Sequence, residues 1–246
     1  MNFRSLIDTN PALPITTFSV FRFPAQRAWW AFSQMGKKVL NQPSGAVFSK
    51  MLGCGKYGFS ILPDWLQYAF LAHWPSQNEA QAFFDSPVFE QYRAVSLESF
   101  TLQMQPVKVR GTWEGLNPFV GVGSEKSDDL TLKANQPVVV LTRAKIRTNS
   151  LIPFWRNVPK THQAMKQSKG LLLALGVGEL PLVQQATVSI WDNVEAVKAF
   201  AYQQHYHKEV VKMTRRDNWY KEDLFARFLP VAVAGTWKGQ ELLCPT

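Results

Sequence analysis

The feature that most constrains the fold of this chain is an internal repeat. The segment Gly111-Thr112-Trp113-Glu114-Gly115 returns as Gly235-Thr236-Trp237-Lys238-Gly239, at an offset of 235 − 111 = 124 residues. Each copy follows a segment of strand-forming residues. Because self-similarity at a fixed period is typical of duplicated structural units, the chain is predicted to contain two copies of one unit.

A second signal of the repeat lies in the middle of each half. Ala82-Phe83 follow Trp74 by eight and nine residues, and Ala199-Phe200 follow Trp191 at the same spacing. In both halves a predicted strand ends at the tryptophan and a predicted helix follows it. The predicted elements give the order β-α-β-β-α-β twice, which is the ferredoxin-like order.

The repeat therefore predicts an α+β protein built from two tandem ferredoxin-like units. The first unit is expected over residues 15–116 and the second over 137–240, with a polar, Gly-containing linker over 117–136. Each unit covers one sheet face with helices and leaves one apolar face uncovered. Packing the two uncovered faces together predicts a pseudo-dimeric α/β barrel, with room for a ligand between sheet and helices.

Composition limits the classes of partner. The 246 residues include 27 basic and 18 acidic side chains, a net charge of 27 − 18 = +9 that is spread along the chain. A nucleic-acid-binding protein would more often concentrate such charge on one element with a matching motif, and no such motif is present, so nucleic acid is not expected as a partner. A basic surface also suits anionic lipid headgroups or an acidic ligand such as a porphyrin with two propionates.

The two cysteines, Cys54 and Cys244, indicate neither a disulfide scaffold nor a zinc site. A reducing compartment is the default for such a chain, so we expect a cytoplasmic protein that can contact a membrane surface. The longest apolar run, Leu171 to Val183, contains Glu179 and Pro181 and is too short to span a bilayer. Cys54 could be a thiolate ligand of iron, but a buried structural thiol is the favoured interpretation.

The sharpest chemical hint is a histidine on a long helix predicted between Asp192 and Asn218. The residues that share its apolar face at spacings of three or four are Val197, Phe200, Gln204, His207 and Val211. His207 could ligate a haem iron through a neutral imidazole, or it could be a satisfied histidine in a helix–sheet interface. His205 falls on a charged face, and His162, on the first helix of the second unit, is the runner-up ligand. The first unit has Glu90 at the position equivalent to His207, so one haem is expected.

Polar side chains in predicted strands are the other candidates. Arg143 and Arg227 lie where charge is costly unless it is paired, and they could bind haem propionates or donate to bound oxygen. The alternative is that they pair with one of the neighbouring carboxylates Glu179, Glu222 and Asp223. Gln185 shares the face of Trp191 by alternation and could also donate to bound oxygen.

Several strings of the sequence resemble the spheroidene monooxygenase family of carotenoid biosynthesis, in the family's order, from about residue 16 to about residue 240. They are Phe21-Arg22-Phe23, Gln34-Met35-Gly36, Gly53-Cys54-Gly55, Leu141-Thr142-Arg143-Ala144, Gly176-Val177-Gly178-Glu179-Leu180-Pro181, Gln185 to Trp191 and Trp219-Tyr220-Lys221-Glu222-Asp223-Leu224-Phe225-Ala226-Arg227-Phe228. The resemblance implies a fused relative of the dimeric α/β-barrel monooxygenases, several of which bind haem.

The resemblance also implies a haem b- and O₂-dependent enzyme that oxygenates an acyclic carotenoid beside its end. A histidine of the family twelve residues before the tryptophan of the last string corresponds to His207. Its position and its helix face predict that it is the proximal ligand. Arg143 and Gln185 are then expected in catalysis, and Arg143 and Arg227 are expected to bind the cofactor with His207. An external electron-transfer protein is expected as a partner, because no flavin or nicotinamide motif is present.

Two alternatives stay open. One is a haem enzyme of the same barrel with other chemistry, such as haem degradation, peroxidation or dehydration. The other is a non-enzymatic barrel that binds haem or another apolar ligand. A monomer and a homo-oligomer are both compatible with the repeat, because duplication can replace a dimer while edge strands can still pair chains.

Overall fold

The computed structural model describes residues 1–35, 42–119, 135–203 and 205–243, without the side chains of 202–209 and 211. Its strands, in chain order, are β1 (Arg4–Ser5), β2 (Ile15–Arg22), β3 (Phe48–Gly55), β4 (Pro63–Trp74), β5 (Glu98–Gly111), β6 (Val138–Ile146), β7 (Leu171–Leu180), β8 (Gln184–Trp191) and β9 (Tyr220–Gly235). Its helices are α1 (Ala28–Gln34), α2 (Gln77–Phe84), α3 (Pro87–Val95), α4 (Leu151–Lys166), α5 (Val194–Lys198) and α6 (His205–Arg216).

Eight of the described strands form a closed antiparallel barrel. Hydrogen-bonded neighbours follow the order β9-β5-β2-β4-β3-β7-β8-β6, and β6 pairs again with β9 to close the ring. Each half of the chain supplies four of these strands, so the predicted α+β pseudo-dimeric barrel is confirmed. The residue ranges given to the two units and their linker stay predictions, and most of the linker lies outside the described residues.

Successive side chains along each strand point alternately into the barrel and towards the helices, which gives one inner core and separate outer cores. Along β6, Val139 and Leu141 point into the barrel, whereas Val138 and Val140 pack towards the helices of the second half. All eight barrel strands contribute buried side chains to the inner core. The barrel interior is therefore filled with side chains, and a ligand-sized space lies instead between the sheet and its helices.

The repeated Gly-Thr-Trp turns fasten the two halves to each other. The turn after β5 donates to Glu222 of β9 from the Gly115 amide at 2.7 Å, and the turn after β9 donates to Glu98 of β5 from the Gly239 amide at 2.8 Å. The threonine hydroxyl of each turn donates to the same carboxylates, at 3.0 and 3.1 Å. The two glutamates are 222 − 98 = 124 residues apart, which is the offset of the repeat.

The first glycine of each turn is required by its surroundings. Gly111 has φ +86°, and a Cβ there would lie 2.1 Å from the carbonyl oxygen of Asp223. Gly235 has φ +82°, and a Cβ there would lie 2.1 Å from the carbonyl oxygen of Ser99. Only glycine fits both the left-handed backbone and the close approach, which explains why this residue recurs in both copies.

The long helix predicted between Asp192 and Asn218 is interrupted. The structure has α5, a π-helical turn over Ala199–Gln203, and then α6. Val197 and Phe200 are buried as predicted. A π-helical turn shifts the phase of the residues that follow it, so the apolar face predicted before it does not continue unchanged beyond it.

The equivalence of Glu90 with His207, which shares the predicted apolar face of its helix, predicts an inward-facing Glu90, and this prediction is wrong. The Glu90 side chain is 53% exposed and pairs with Arg93 at 2.7 Å on the outer side of α3. The buried residues of α3 are Phe89 and Tyr92. The side chain of His207 itself lies outside the described residues. Among those that are described, no helix combines the length and the apolar character that a membrane span requires.

Candidate functional site

A cavity of about 610 Å³ lies in the second half, between the helix-facing side of the sheet and the helices α4 and α6. Strands β6, β8 and β9 form its floor through residues such as Thr142, Ala144, Gln185 and Phe225. The β3–β4 hairpin, the segment that joins β3 to β4, reaches it from the first half. Ligand sites of small molecules occupy roughly 300–1,000 Å³, so the cavity has the size of a substrate or cofactor site.

The cavity exists because large side chains of the first half have smaller or polar counterparts in the second. Phe21 on β2 faces Tyr68 on β4, and the matching pair on β6 and β8 is Ala144 facing Gln185. Both pairs stand at equivalent places, because Tyr68 and Gln185 are separated by 185 − 68 = 117 residues, as are the tryptophans that end β4 and β8. The phenyl ring of Phe21 in the first half is thus replaced by the methyl group of Ala144 in the second half.

In the first half the equivalent space is filled with aromatic rings. Phe21 packs on Phe89 and Tyr92, with centroid distances of 5.6 and 5.8 Å. Phe70, which corresponds to the cavity residue Thr187, is buried in the same core. The two copies of the unit therefore share the order of strands and helices but differ in how the space between sheet and helices is filled. Only in the second copy does a cavity of this size lie there among the described residues.

His162 of α4 lies in the cavity wall, so the structure brings the runner-up ligand to the site. Burial, and then the positive charge of Lys166, lower the pKa of His162 below its ordinary value. The imidazole is therefore neutral at neutral pH, which is the form that ligates iron.

The β3–β4 hairpin covers His162. The Gly176 amide of β7 donates to the Gly58 carbonyl at 2.6 Å and fixes the hairpin on the second half. Gly58 has φ +97°, and a Cβ built there would lie 3.5 Å from Nε2 of His162. The Phe59 ring also lines the cavity. Nε2 of His162 therefore lies beside the backbone of the hairpin in this arrangement.

Arg143 contributes to the cavity wall, but its guanidinium lies on the inner side of the sheet. It pairs with Glu222 and, at 3.4 Å, with Glu179, and its side chain is 1% exposed. Its guanidinium carbon lies 5.0 Å from the ring centroid of Trp113. These are the carboxylate pairs that the alternative interpretation predicted. The roles of Arg143 in catalysis and propionate binding stay predictions.

The Arg143 pairs belong to a charged network at one end of the barrel interior. Lys50 pairs with Glu179 at 3.1 Å. Burial alone would raise the pKa of Glu222, but hydrogen bonds from the Gly115 amide and Arg143 outweigh it and lower that pKa to about 2. The carboxylate is therefore ionised and neutralised by its neighbours, which suits a structural closure of the barrel end.

The other two polar candidates differ in position. Gln185 lies in the cavity wall, and its Nε2 donates to the carbonyl of Leu180 at 3.3 Å. Arg227 has its guanidinium carbon 6.0 Å from the ring centroid of Phe225, and it does not line the cavity formed by the described residues. The structure thus brings Gln185 and His162 to one site and leaves Arg227 outside it.

Cys54 is buried in the barrel interior. Burial is the main cause that raises the pKa of its thiol to about 12. Such a thiol stays protonated at neutral pH, whereas an iron ligand must be the thiolate. The favoured interpretation of Cys54 as a structural thiol agrees with this environment.

Helix α6 completes the cavity with Val210, Thr214 and Arg215. Val210 and Thr214 follow His207 by three and seven residues, which is the spacing of one helix face. α6 also follows the π-helical turn, a feature that frequently marks functional sites. Because the side chain of His207 is outside the described part of the chain, iron ligation by this residue stays a prediction.

Two features of the cavity were not predicted from the sequence. The first is the replacement of large side chains of the first half by smaller ones in the second. A comparison of the repeated strands would have found it, because Phe21 and Phe70 align with Ala144 and Thr187. The second, the contact of Phe59 with the second half, has no local signal, since it depends on how the two halves pack.

Proteins named spheroidene monooxygenase are similar to the chain over most of its length. The one from Rhodobacter capsulatus is 34% identical over 237 residues, which cover 94% of this chain and 96% of that protein. The one from Cereibacter sphaeroides is 33% identical over 231 residues, which cover 92% of this chain and 69% of that protein. No protein-family model matches the sequence.

Solved structures share the fold. An aldoxime dehydratase superposes with a TM-score of 0.62 at 10% identity, over 94% of this chain and 87% of that one. A second, in complex with butyraldoxime, gives a TM-score of 0.59 at 8% identity, over 92% and 84%. At these identities the likeness shows the α/β barrel alone.

Proposed function

The chain belongs to the spheroidene monooxygenase family of oxidoreductases, and from this premise we propose that it is a haem-dependent monooxygenase of acyclic carotenoids or similar long apolar molecules. The observation that carries the proposal is the second-half cavity, which is bordered by His162 and by α6, the helix that carries His207, while its first-half counterpart is filled with aromatic rings.

The residues that line the cavity fit a haem. Its aromatic side chains include Phe154, Trp155, Trp219 and Phe225, and a flat apolar macrocycle packs well on such rings. Arg215, an exposed cation at the cavity, could pair with a propionate. Propionate binding by Arg143 and Arg227 stays a prediction.

We propose that His207 would hold the haem iron, with His162 as the competing ligand. Support for His207 comes from its helical spacing to the lining residues Val210 and Thr214 and from the π-helical turn before α6. The hairpin backbone at Gly58, beside Nε2 of His162, disfavours an iron at that nitrogen in this arrangement.

When bound, the haem would supply the activation of O₂, with electrons from an external electron-transfer protein. The residues of the chain would bind the apolar substrate and exclude water through the rings of Phe59, Phe154 and Trp155. Gln185 is the proposed catalytic hydrogen-bond donor, because it lies in the cavity wall while the guanidinium of Arg143 is paired elsewhere. Because the substrate dissolves in membranes, the protein would work at the cytoplasmic surface of one.

The proposal is tested by titrating the purified protein with haemin and recording the absorption spectrum. The wild type should develop a Soret band at one haem per chain, and His207→Ala should lose or shift it. His205→Ala is the matched control two positions away and should leave the band unchanged. Loss of the band in His162→Ala but not in His207→Ala would identify His162 of α4 as the iron ligand. Absence of haem uptake by the wild type would refute the proposed function.

A further inference from the structure

Large hydrophobic side chains are exposed on α1, on the β3–β4 hairpin and at the start of β4. These residues, called the aromatic patch below, are Trp29, Phe32, Tyr57, Ile61, Leu62 and Trp65. The Phe32 ring lies 6.4 Å from Trp29 and 5.5 Å from Trp65 by centroids, so α1 and β4 contribute to one surface. Trp29 and Tyr57 are each 84% exposed. Grouped apolar exposure of this kind typically marks an interaction site.

The stretch of sequence that carries most of the patch is basic. From Thr9 to Pro63 the sequence contains six basic residues and neither Asp nor Glu. Arg27 and Lys56, each next to or close to a patch residue in the chain, are exposed. The carboxylate that follows this segment, Asp64, is partly buried and accepts the Leu66 amide at 3.0 Å. The patch therefore combines apolar rings with positive charge.

The patch also adjoins the candidate site. The hairpin that exposes Tyr57, Ile61 and Leu62 lines the cavity through Phe59 and Ser60, which lie between them in the sequence. A surface that binds this hairpin would thus lie directly beside the cavity.

We propose that the aromatic patch docks the protein on an anionic lipid bilayer, with Trp29, Tyr57 and Trp65 in the headgroup region. Tryptophan and tyrosine favour that region because their rings are apolar and carry one polar group. Basic side chains beside them are attracted to anionic lipids. A second copy of the chain is a poorer occupant, since it carries the same positive charge. Only the further idea that apolar substrate enters the cavity here rests on the proposed function.

The test is cosedimentation of the full chain with phosphatidylcholine vesicles that do or do not contain phosphatidylglycerol. The wild type should bind the anionic vesicles more strongly. The double variant Trp29→Ser, Trp65→Ser should bind about tenfold more weakly, because two interfacial anchors are lost. Arg27→Gln and Lys56→Gln should each weaken binding to anionic vesicles about fivefold.

Leu116→Ser and Ile152→Ser are the controls, because these side chains are 72% and 81% exposed but lie outside the patch. They should bind as the wild type does. Absence of vesicle binding by the wild type, or equal binding by the double variant, would overturn the inference. A haemin titration of the same proteins separates this inference from the proposed function. The double variant should bind haem as the wild type does, although it binds vesicles more weakly.

Discussion

The imidazole of His162 and the phenyl ring of Phe59 lie with their centroids 4.8 Å apart, although 162 − 59 = 103 residues separate them in the chain. His162 belongs to the second half and Phe59 to a hairpin of the first. The cavity is therefore built by both halves, even though its floor and its helices come from one. This contact links the duplication of the chain to the single site that we propose.

Filling the cavity should abolish haem binding without unfolding the protein. Ala144→Phe restores the ring that Phe21 provides in the first half, where it fills the equivalent space. We expect loss of the Soret band on haemin addition, with an unchanged circular dichroism spectrum. Ala144→Ser, which adds little volume, should keep the band. Full haem uptake by the phenylalanine variant would place the haem elsewhere.

Removing an aromatic ring from the core of the first half should lower the stability of the protein without affecting haem binding. Phe21 is 1% exposed and packs in the aromatic core, so Phe21→Ala should lower the free energy of unfolding by about 3–5 kcal/mol. Urea denaturation measures this change. Phe32→Ala, at a position 47% exposed, should change it by about 0.5 kcal/mol or less. Haem stoichiometry of the folded protein should stay the same in both variants.

The repeated turns should tolerate alanine at one glycine and not at the other. At Gly115 a Cβ meets nothing within 4 Å, so Gly115→Ala should cost only the left-handed backbone, about 1–2 kcal/mol. At Gly111 a Cβ would also meet a carbonyl oxygen at 2.1 Å, so Gly111→Ala should destabilise the protein considerably more in the same denaturation experiment. Equal effects would contradict the close packing of this turn.

The ionisation of Glu222 should contribute to acid sensitivity. Its pKa is lowered to about 2 in the folded protein, whereas an unfolded glutamate has a pKa of about 4.3. The stability it provides is thus present above pH ~4.3 and is lost as the pH falls towards ~2. Glu222→Gln should flatten the fall in unfolding free energy across this window. Glu195→Gln, at a 60% exposed side chain, should leave the slope unchanged.

The barrel could be predicted from the sequence because the motifs that indicate it are local and occur in both halves. The spacing from Trp74 and Trp191 and the two Gly-Thr-Trp turns fix the order of elements, and the turns recur because Gly111 and Gly235 meet the same steric demand. Helix phase was less predictable. The π-helical turn at Ala199–Gln203 has no simple sequence signature, so residues beyond it could not be assigned to a face by counting.

The candidate site was predictable only in part. His162 and Gln185 were identified by residue type and alternation, and both lie in the cavity wall. The position of the Arg143 guanidinium depends on long-range pairing with Glu179 and Glu222, which periodicity does not reveal. The iron ligand, the substrate and the electron donor stay predictions that require experiment.

We propose that this chain is a haem-dependent monooxygenase of acyclic carotenoids. The most direct measurement is the incorporation of ¹⁸O from ¹⁸O₂ into such a carotenoid by the purified chain supplied with haemin and a reductant. We predict a labelled, oxygenated product that is formed by the wild type and not by Ala144→Phe. A product without the label, or no product from haem-loaded protein with its substrate, would contradict the proposed function.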